Sequence, residues 1–137
     1  MPTSIFVNLP VQDLNRSVEF FTKLGYTFNQ TFTDENATCM IIEENSIHVM
    51  LLVKPFFKSF MLEHEDICDT SKFLESIICL TAESRQAVDE IVSKAVEAGG
   101  TAPGEKQDYG YMYNHGFRDL DGHCWEFTYM DASQFPA

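Results

Sequence analysis

The secondary structure predicted from this sequence occurs in the same order twice, and this internal repeat constrains the fold more than any other feature. Each half contains a short strand, a helix marked by apolar residues at helical spacing, and three further strand-like runs. In the first half the strand-like runs are residues 5–11, 26–32, 37–43 and 47–53. In the second half they are residues 76–82, 104–109, 111–118 and 123–130. The sequence therefore predicts two βαβββ modules.

Each predicted helix has a recognisable beginning and end. Asp13 and Ser84 precede the two helical stripes, and their side-chain oxygens can accept hydrogen bonds from the free N–H groups of a first turn. Gly25 follows the first stripe, and Gly99 and Gly100 follow the second. Glycine is the usual residue after a helix because it adopts a positive φ without steric cost.

A doubled βαβββ module predicts an α+β fold of one domain, residues 1–137. We expect module one at 1–53, a linker or lid at 54–74 and module two at 75–131. Two half-curled sheets that bury their edges against one another would form a cupped, partly closed mixed sheet with the helices on its outer face. A ligand would then bind on the concave inner face.

The composition and net charge argue against several kinds of partner and against a membrane helix. The chain has 137 residues, of which 45% are hydrophobic, and a net charge of −12. Such a charge argues against nucleic acid and anionic membranes as partners, because both would repel it. No apolar run reaches the ~20 residues of a membrane helix. The four cysteines form no CxxC pair, which favours reduced, mostly buried thiols in a cytoplasmic protein.

An ionisable residue in the last predicted strand indicates where a ligand would bind. In residues 123–130 the side chains alternate, so Trp125, Phe127 and Tyr129 share one face and Glu126 points to the other. The bulky aromatic side chains should pack beneath a helix, which leaves Glu126 facing the inner surface of the cup. A carboxylate held by a neighbouring donor for structural reasons is the alternative interpretation.

Two stretches resemble a known superfamily. The opening "VNLPVQDLNRSVEFFTKLGY" and the closing "DLDGHCWEF", together with the repeated module, are similar to the vicinal oxygen chelate superfamily of glyoxalase I, extradiol dioxygenases, fosfomycin-resistance enzymes and bleomycin-resistance proteins. The resemblance implies the cupped fold and a range of functions that includes lyases, oxygenases and drug binders. It also implies four equivalent positions for a divalent ion, which fall on Phe6, Met50, Ile77 and Glu126.

The residues at these four positions argue against a metal, because only Glu126 is a ligand type that a hard divalent cation accepts. We expect no other cofactor. A relocated site is the alternative. His48 lies on the same strand face as Met50, and His115 lies on the penultimate strand. His48, His115 and Glu126 would hold Zn, Ni, Fe or Mn if the three converged. Otherwise His48 bonds at a sheet rim and His115 belongs to a loop.

The expected ligand-binding residues combine an apolar lining with few polar groups. They are Phe6, Asn8, His48, Met50, Tyr111, Tyr113 and Glu126. The segment "PFFKSFM" within the linker could cover them, or could belong to the core or to a dimer contact.

Two functions follow. The first is metal-independent binding of a small organic molecule, as in bleomycin-resistance proteins. The second is a glyoxalase-I-like lyase, or a dioxygenase-like enzyme, in which Glu126 acts as general base with a relocated metal. Whether the chain is an enzyme stays open at this stage. We expect a cytoplasmic homodimer.

Overall fold

The two predicted modules are present in the computed structural model, which describes residues 3–136. The chain divides into two compact units between Cys68 and Asp69. Each unit has one four-stranded mixed sheet and one long helix that follows the first strand of that sheet. The predicted fold class, two βαβββ modules of α+β type, is confirmed.

The first unit contains four strands and one long helix before its short last helix. They are β1 (Ile5–Val11), α1 (Leu14–Lys23), β2 (Thr27–Asn29), β3 (Ala37–Glu43) and β4 (Ile47–Val53). The strand order is β1-β4-β3-β2, with β1 parallel to β4 and the other pairs antiparallel. Helix α2 (Lys54–Lys58) follows β4 directly.

The second unit repeats this topology. Its elements are β5 (Ile77–Thr81), α3 (Arg85–Glu97), β6 (Gln107–Asp108), β7 (Met112–Arg118) and β8 (Cys124–Met130). The strand order is β5-β8-β7-β6, with β5 parallel to β8. In both units the last strand in the chain therefore lies inside the sheet.

The long helices begin and end where the sequence predicts. The backbone N–H of Arg16 donates to Asp13 Oδ1 at 3.1 Å, and that of Ala87 donates to Ser84 Oγ at 3.0 Å. Gly25 and Gly99 follow the helices with φ of 103° and 111°, a region that favours glycine.

Each helix covers one face of the sheet in its own unit. Phe20 and Phe21 of α1 are buried, as are Val49 and Leu51 of the adjacent β4. In the second unit Val88, Val92 and Ala95 of α3 are buried on the side of β7 and β8. Full burial of a large apolar side chain stabilises a fold by about 1.5–3 kcal/mol, so these faces hold each unit together.

Three local features differ from the sequence predictions. Strand β2 ends at Asn29, because the Asn29 side chain accepts a hydrogen bond from the N–H of Thr31 at 3.0 Å and starts a 3-10 turn. Strand β6 has only two residues. Helix α2 was not predicted, and the proline in its first turn suits a helix start because its missing N–H would have no partner there.

The exposure of the cysteines and the length of the helices were also predicted from the sequence. Cys39 is buried, whereas Cys68 and Cys79 are exposed and Cys124 is half-buried. The expectation of mostly buried thiols was therefore wrong. None of the helices in the described part of the chain is long and apolar enough to span a membrane.

Candidate functional site

Glu126 lies near the middle of the second sheet, on the face opposite α3. Strand β8 pairs with β5 on one side and β7 on the other, so that Glu126 is opposite Cys79 and Gly116. Its neighbours Trp125 and Phe127 are buried on the helix side, with 0% and 4% of their surface exposed. The predicted alternation of side chains along β8 is thus observed, and it leaves Glu126 half-buried on the face opposite α3.

One hydrogen bond from β7 positions the Glu126 carboxylate. Asn114 Nδ2 donates to Glu126 Oε1 at 2.8 Å. The amide oxygen Oδ1 of Asn114 is buried and has no donor among the described residues. A buried acceptor without a donor costs on the order of 1–3 kcal/mol, and such atoms in native proteins are commonly completed by a bound molecule or water. The Glu126–Asn114 pair is therefore a polar group that can accept further partners.

A cleft of about 150 Å³ adjoins this pair. It is lined by three segments of the second unit, residues 103–105, 114–118 and 124–126. Glycine at position 116 keeps the floor of the cleft free of a side chain. It is also required there, because a Cβ on Gly116 would collide with the carbonyl oxygen of Trp125 on β8.

The wall of the cleft is a short stretch of chain between two points of pairing with β7. Thr101 and Arg118 exchange two backbone hydrogen bonds, of 3.0 and 2.7 Å, and pairing resumes where Gln107 meets Asn114. The residues between these points bulge away from β7. His115 bonds through Nε2 to the carbonyl oxygen of Gly104 at 3.0 Å, which fixes the bulge.

The cleft also contains a cation that sequence reasoning missed. Arg118 lies two residues from Gly116 along β7 and is opposite Cys124, so its side chain is on the same face as Glu126. Asn114 was missed as well. The alternation of "YNHGFR" places Asn114 and Arg118 on one face, but only the pairing register shows that this face is the one that carries Glu126.

In the first unit the structure brings together four predicted ligand-binding residues. Phe6 pairs with His48, and Asn8 pairs with Met50, so all four side chains share the face opposite α1. The rings of Phe6 and His48 stack with centroids 4.5 Å apart and an interplanar angle of 11°. His48 Nε2 is 3.1 Å from the carbonyl oxygen of Glu44, whereas its Nδ1 is buried and has no partner within residues 3–136.

The register of β7 corrects the predicted role of Tyr113. Tyr113 is opposite Tyr129, which places its side chain on the α3 side of the sheet, away from Glu126. Its hydroxyl donates to Asp89 Oδ1 on α3 at 2.6 Å, and this hydrogen bond is the main cause that raises the pKa of Tyr113. Tyr111 instead packs against the rings of Tyr109 and Phe135.

The strand register also argues against the relocated metal site. His115 is opposite Phe127 and Glu126 is opposite Gly116, so the two side chains extend from opposite faces of the sheet. His48 belongs to the first unit. Over residues 3–136, no three histidine, cysteine, aspartate or glutamate side chains are grouped so that they could hold a metal ion.

The four positions that correspond to the superfamily metal site do not fit a divalent ion. Phe6 and Met50 share a face in the first unit, and Ile77 and Glu126 share a face in the second. A phenyl ring and an aliphatic chain supply no donor atom, and a thioether is a poor ligand for a hard cation. Glu126 alone offers oxygen ligands.

Comparisons with known proteins agree with this architecture. Residues 3–42 match the family model described as bleomycin resistance protein-like N-terminal. No curated protein is significantly similar to the chain. A hypothetical protein from S. aureus is 28% identical, with a TM-score of 0.76 and 94% of each chain covered.

More distant structures share the fold at lower identity. A glyoxalase/bleomycin resistance protein/dioxygenase family enzyme from Burkholderia phytofirmans is 14% identical over 91% of this chain and 96% of its own, with a TM-score of 0.75. A fosfomycin resistance protein from Listeria monocytogenes is also 14% identical, over 97% of each chain, with a TM-score of 0.67.

The doubled βαβββ unit is thus the fold of the glyoxalase/bleomycin resistance/dioxygenase proteins, and through this fold and the match of residues 3–42 the chain is similar to the vicinal oxygen chelate superfamily. The part that matches the bleomycin resistance protein-like N-terminal model covers β1, α1, β2 and most of β3.

Proposed function

We propose that this protein binds a small organic molecule in the cleft beside Glu126, and that it does so without a divalent metal. The observation that carries the proposal is a half-buried carboxylate, held by Asn114, that lines a cleft of about 150 Å³ on the face of the second sheet opposite α3. Ligand sites combine a concave surface with a few well-placed polar groups.

The hydrogen bonding of the carboxylate supports a role in binding. Asn114 occupies Oε1, and within the described residues no protein donor is bonded to Oε2. A carboxylate that keeps one oxygen without a protein donor can accept a hydrogen bond from an ammonium or hydroxyl group of a ligand.

The metal-independent part of the proposal rests on the donor set. In metal-dependent catalysis the ion stabilises developing negative charge, which contributes several kcal/mol. Of the four positions available to it here, three cannot supply a ligand that a hard divalent ion accepts. We therefore expect protein purified without chelator or affinity tag to carry no stoichiometric metal. Elemental analysis that finds close to one nickel, zinc, iron or manganese per chain would contradict this.

A matched pair of variants tests the role of Glu126. Glu126→Gln preserves shape and the hydrogen bond from Asn114 while it removes the charge, and Glu97→Gln removes one negative charge from an exposed position on α3. A library of small organic acids, amines and amino acids is screened by saturation-transfer NMR against the wild type and both variants. We expect compounds that bind the wild type to be lost with Glu126→Gln and kept with Glu97→Gln.

The thermal midpoint of each variant completes this experiment. Glu126→Gln should unfold within a few degrees of the wild type, because no buried ion pair is broken. Clear destabilisation of Glu126→Gln with unchanged ligand binding would show instead that Glu126 is a structural residue.

A further inference from the structure

We infer that the molecule bound in this cleft is a small zwitterion, whose carboxylate contacts Arg118 and whose ammonium contacts Glu126. This inference rests on the function proposed above and adds the chemical class of the ligand. It assigns Arg118 to ligand recognition.

The placement of Arg118 is the first observation. Arg118 and Glu126 both line the cleft and lie on the same face of the antiparallel pair β7–β8. Their positions are diagonal, since Arg118 is opposite Cys124 and Glu126 is two residues further along β8. Diagonal residues have Cα atoms about 7–8 Å apart, so their side chains are close enough to interact with one ligand at the same time.

The second observation is that the guanidinium of Arg118 has no carboxylate partner. Lys58, Arg85 and Lys106 each form an ion pair with an aspartate, whereas Arg118 forms no ion pair with any described residue. Arg85 shows the usual arrangement in this protein. Its guanidinium donates to Asp108 Oδ1 and to the Gly110 carbonyl oxygen, both at 2.9 Å.

An arginine without a partner is unexpected in a chain with 21 acidic and 9 basic side chains. Arg118 is half-buried and has Glu126 as a near neighbour, yet the two charges are not in contact. A half-buried guanidinium in a cleft is well suited to bind a planar carboxylate through two parallel hydrogen bonds.

The charges around the cleft explain why one charged group on the ligand does not suffice. Glu126 and the exposed Glu105 at the rim repel a ligand that is only an anion. A ligand that is only a cation is attracted by Glu126 but leaves the guanidinium of Arg118 without a carboxylate. A ligand with both charges interacts favourably with both ends of the cleft, so its two contacts reinforce each other.

Three probes with the same carbon chain separate these cases. They are 4-aminobutanoate with both charges, butanoate with the carboxylate alone and butylamine with the ammonium alone. Each is titrated into the ¹⁵N-labelled full chain, and the amide signals of Gly104 and Gly116 report on the cleft. We expect 4-aminobutanoate to bind at least about tenfold more tightly than either probe with one charge, since a hydrogen bond to a charged group contributes about that factor.

Charge variants test which end of the ligand contacts Arg118 and which contacts Glu126. Arg118→Gln should weaken 4-aminobutanoate about tenfold and leave butylamine unchanged or tighter. Glu126→Gln should weaken 4-aminobutanoate and strengthen butanoate. Lys94→Gln, which removes an exposed cation from α3, is the matched control and should change neither. Arg118→Lys keeps the charge without the planar guanidinium and should retain part of the affinity, which covers the case in which Arg118→Gln does not fold.

The outcomes distinguish this inference from the proposed function. Butylamine that binds as tightly as 4-aminobutanoate, or an affinity for 4-aminobutanoate that is unaffected in both Arg118 variants, would overturn the zwitterion. The proposed function would still stand if library compounds bound in a manner that depends on Glu126. If no library compound depends on Glu126, both fail.

Discussion

Asp119 shows how much a single buried side chain contributes to the site without touching it. Only 7% of its surface is exposed, and its carboxylate accepts from the N–H groups of Asp121 and His123 and from Trp125 Nε1, at 2.9, 3.0 and 2.9 Å. Burial is the main cause that raises its pKa, and the charge of His123 and these hydrogen bonds act against it. The three bonds fix the loop between β7 and β8 and hence the register that brings Glu126 opposite Gly116.

The hydrogen bond between Tyr113 and Asp89 predicts that the stability of the fold depends on pH. The pKa of Asp89 is lowered chiefly by the hydrogen bond from Tyr113 and further by Lys106, whose Nζ is 3.2 Å from Asp89 Oδ1. A carboxyl group whose pKa is lower in the folded state stabilises the fold above its unfolded pKa of about 3.9. That contribution is lost as the pH falls through the folded pKa.

Tyr113→Phe removes the main cause of this shift. We expect a loss of about 1 kcal/mol at neutral pH, typical of a partly exposed hydrogen bond to a charged group, and an acid-unfolding midpoint that moves to higher pH. Urea unfolding followed by circular dichroism across the acidic range measures both. Tyr109→Phe is the control, because the exposed Tyr109 hydroxyl bonds only to the uncharged Gln107 at 3.3 Å. A loss of stability that is equal at every pH would show that packing, not Asp89, accounts for the effect.

At the scale of elements, the sequence predicts the order of strands and helices well because alternation and helical spacing are local patterns. It predicts strand pairing poorly. A two-residue turn at Asp121 and Gly122 would have placed Tyr113 opposite Met130 and on the face of Glu126. The loop instead runs from Asp119 to His123, which join through the Asp119 N–H and the His123 carbonyl oxygen at 3.1 Å, so Tyr113 is opposite Tyr129.

Because strand pairing is hard to predict from sequence, some residues were assigned to the wrong face of the sheet and others were missed. Phe6, Asn8, His48 and Met50 share a face because they lie at alternate positions of two paired strands, and alternation is visible in the sequence. The faces of Tyr113, His115 and Arg118 depend on a register that one extra loop residue reverses. Hydrogen bonds such as that of Asn114 to Glu126 depend on the register in turn.

The close contact between β7 and β8 leads to a prediction at this scale. Gly116→Ala should destabilise the protein by about 1–3 kcal/mol or more, the usual cost of overpacking, because the added methyl group meets the Trp125 carbonyl oxygen rather than a side chain that can move. Gly104→Ala should be nearly neutral, since nothing lies within 4 Å of a Cβ there. Thermal or urea unfolding measures both, and equal stabilities for the two variants would contradict the observed strand geometry.

At the scale of the whole molecule, we propose that the chain forms a homodimer. Phe60 and Leu62, in the segment after α2, are 70% and 63% exposed. Neighbouring apolar side chains of this kind favour a protein contact over free solvent.

Sedimentation velocity at micromolar concentration tests the dimer. We expect the wild type to sediment as a dimer and Phe60→Ser to shift towards the monomer. Phe32→Ser changes another exposed phenylalanine, one that lies outside this segment, and should leave the dimer intact. A wild-type protein that sediments as a stable monomer would rule the proposal out.

The place of β8 in its sheet has a consequence for biosynthesis. β8 is the last strand of the second unit to be translated, but it lies between β5 and β7. While the ribosome adds the residues between them, β5 has no neighbour to pair with, and it must later close a long loop to reach β8, a slower step than hairpin formation by β7 and β8. Glu126 is on β8, so the sheet and the cleft are completed in the same event. A nascent chain that stalls before β8 therefore exposes unpaired β5 to chaperones and proteases and has no binding site.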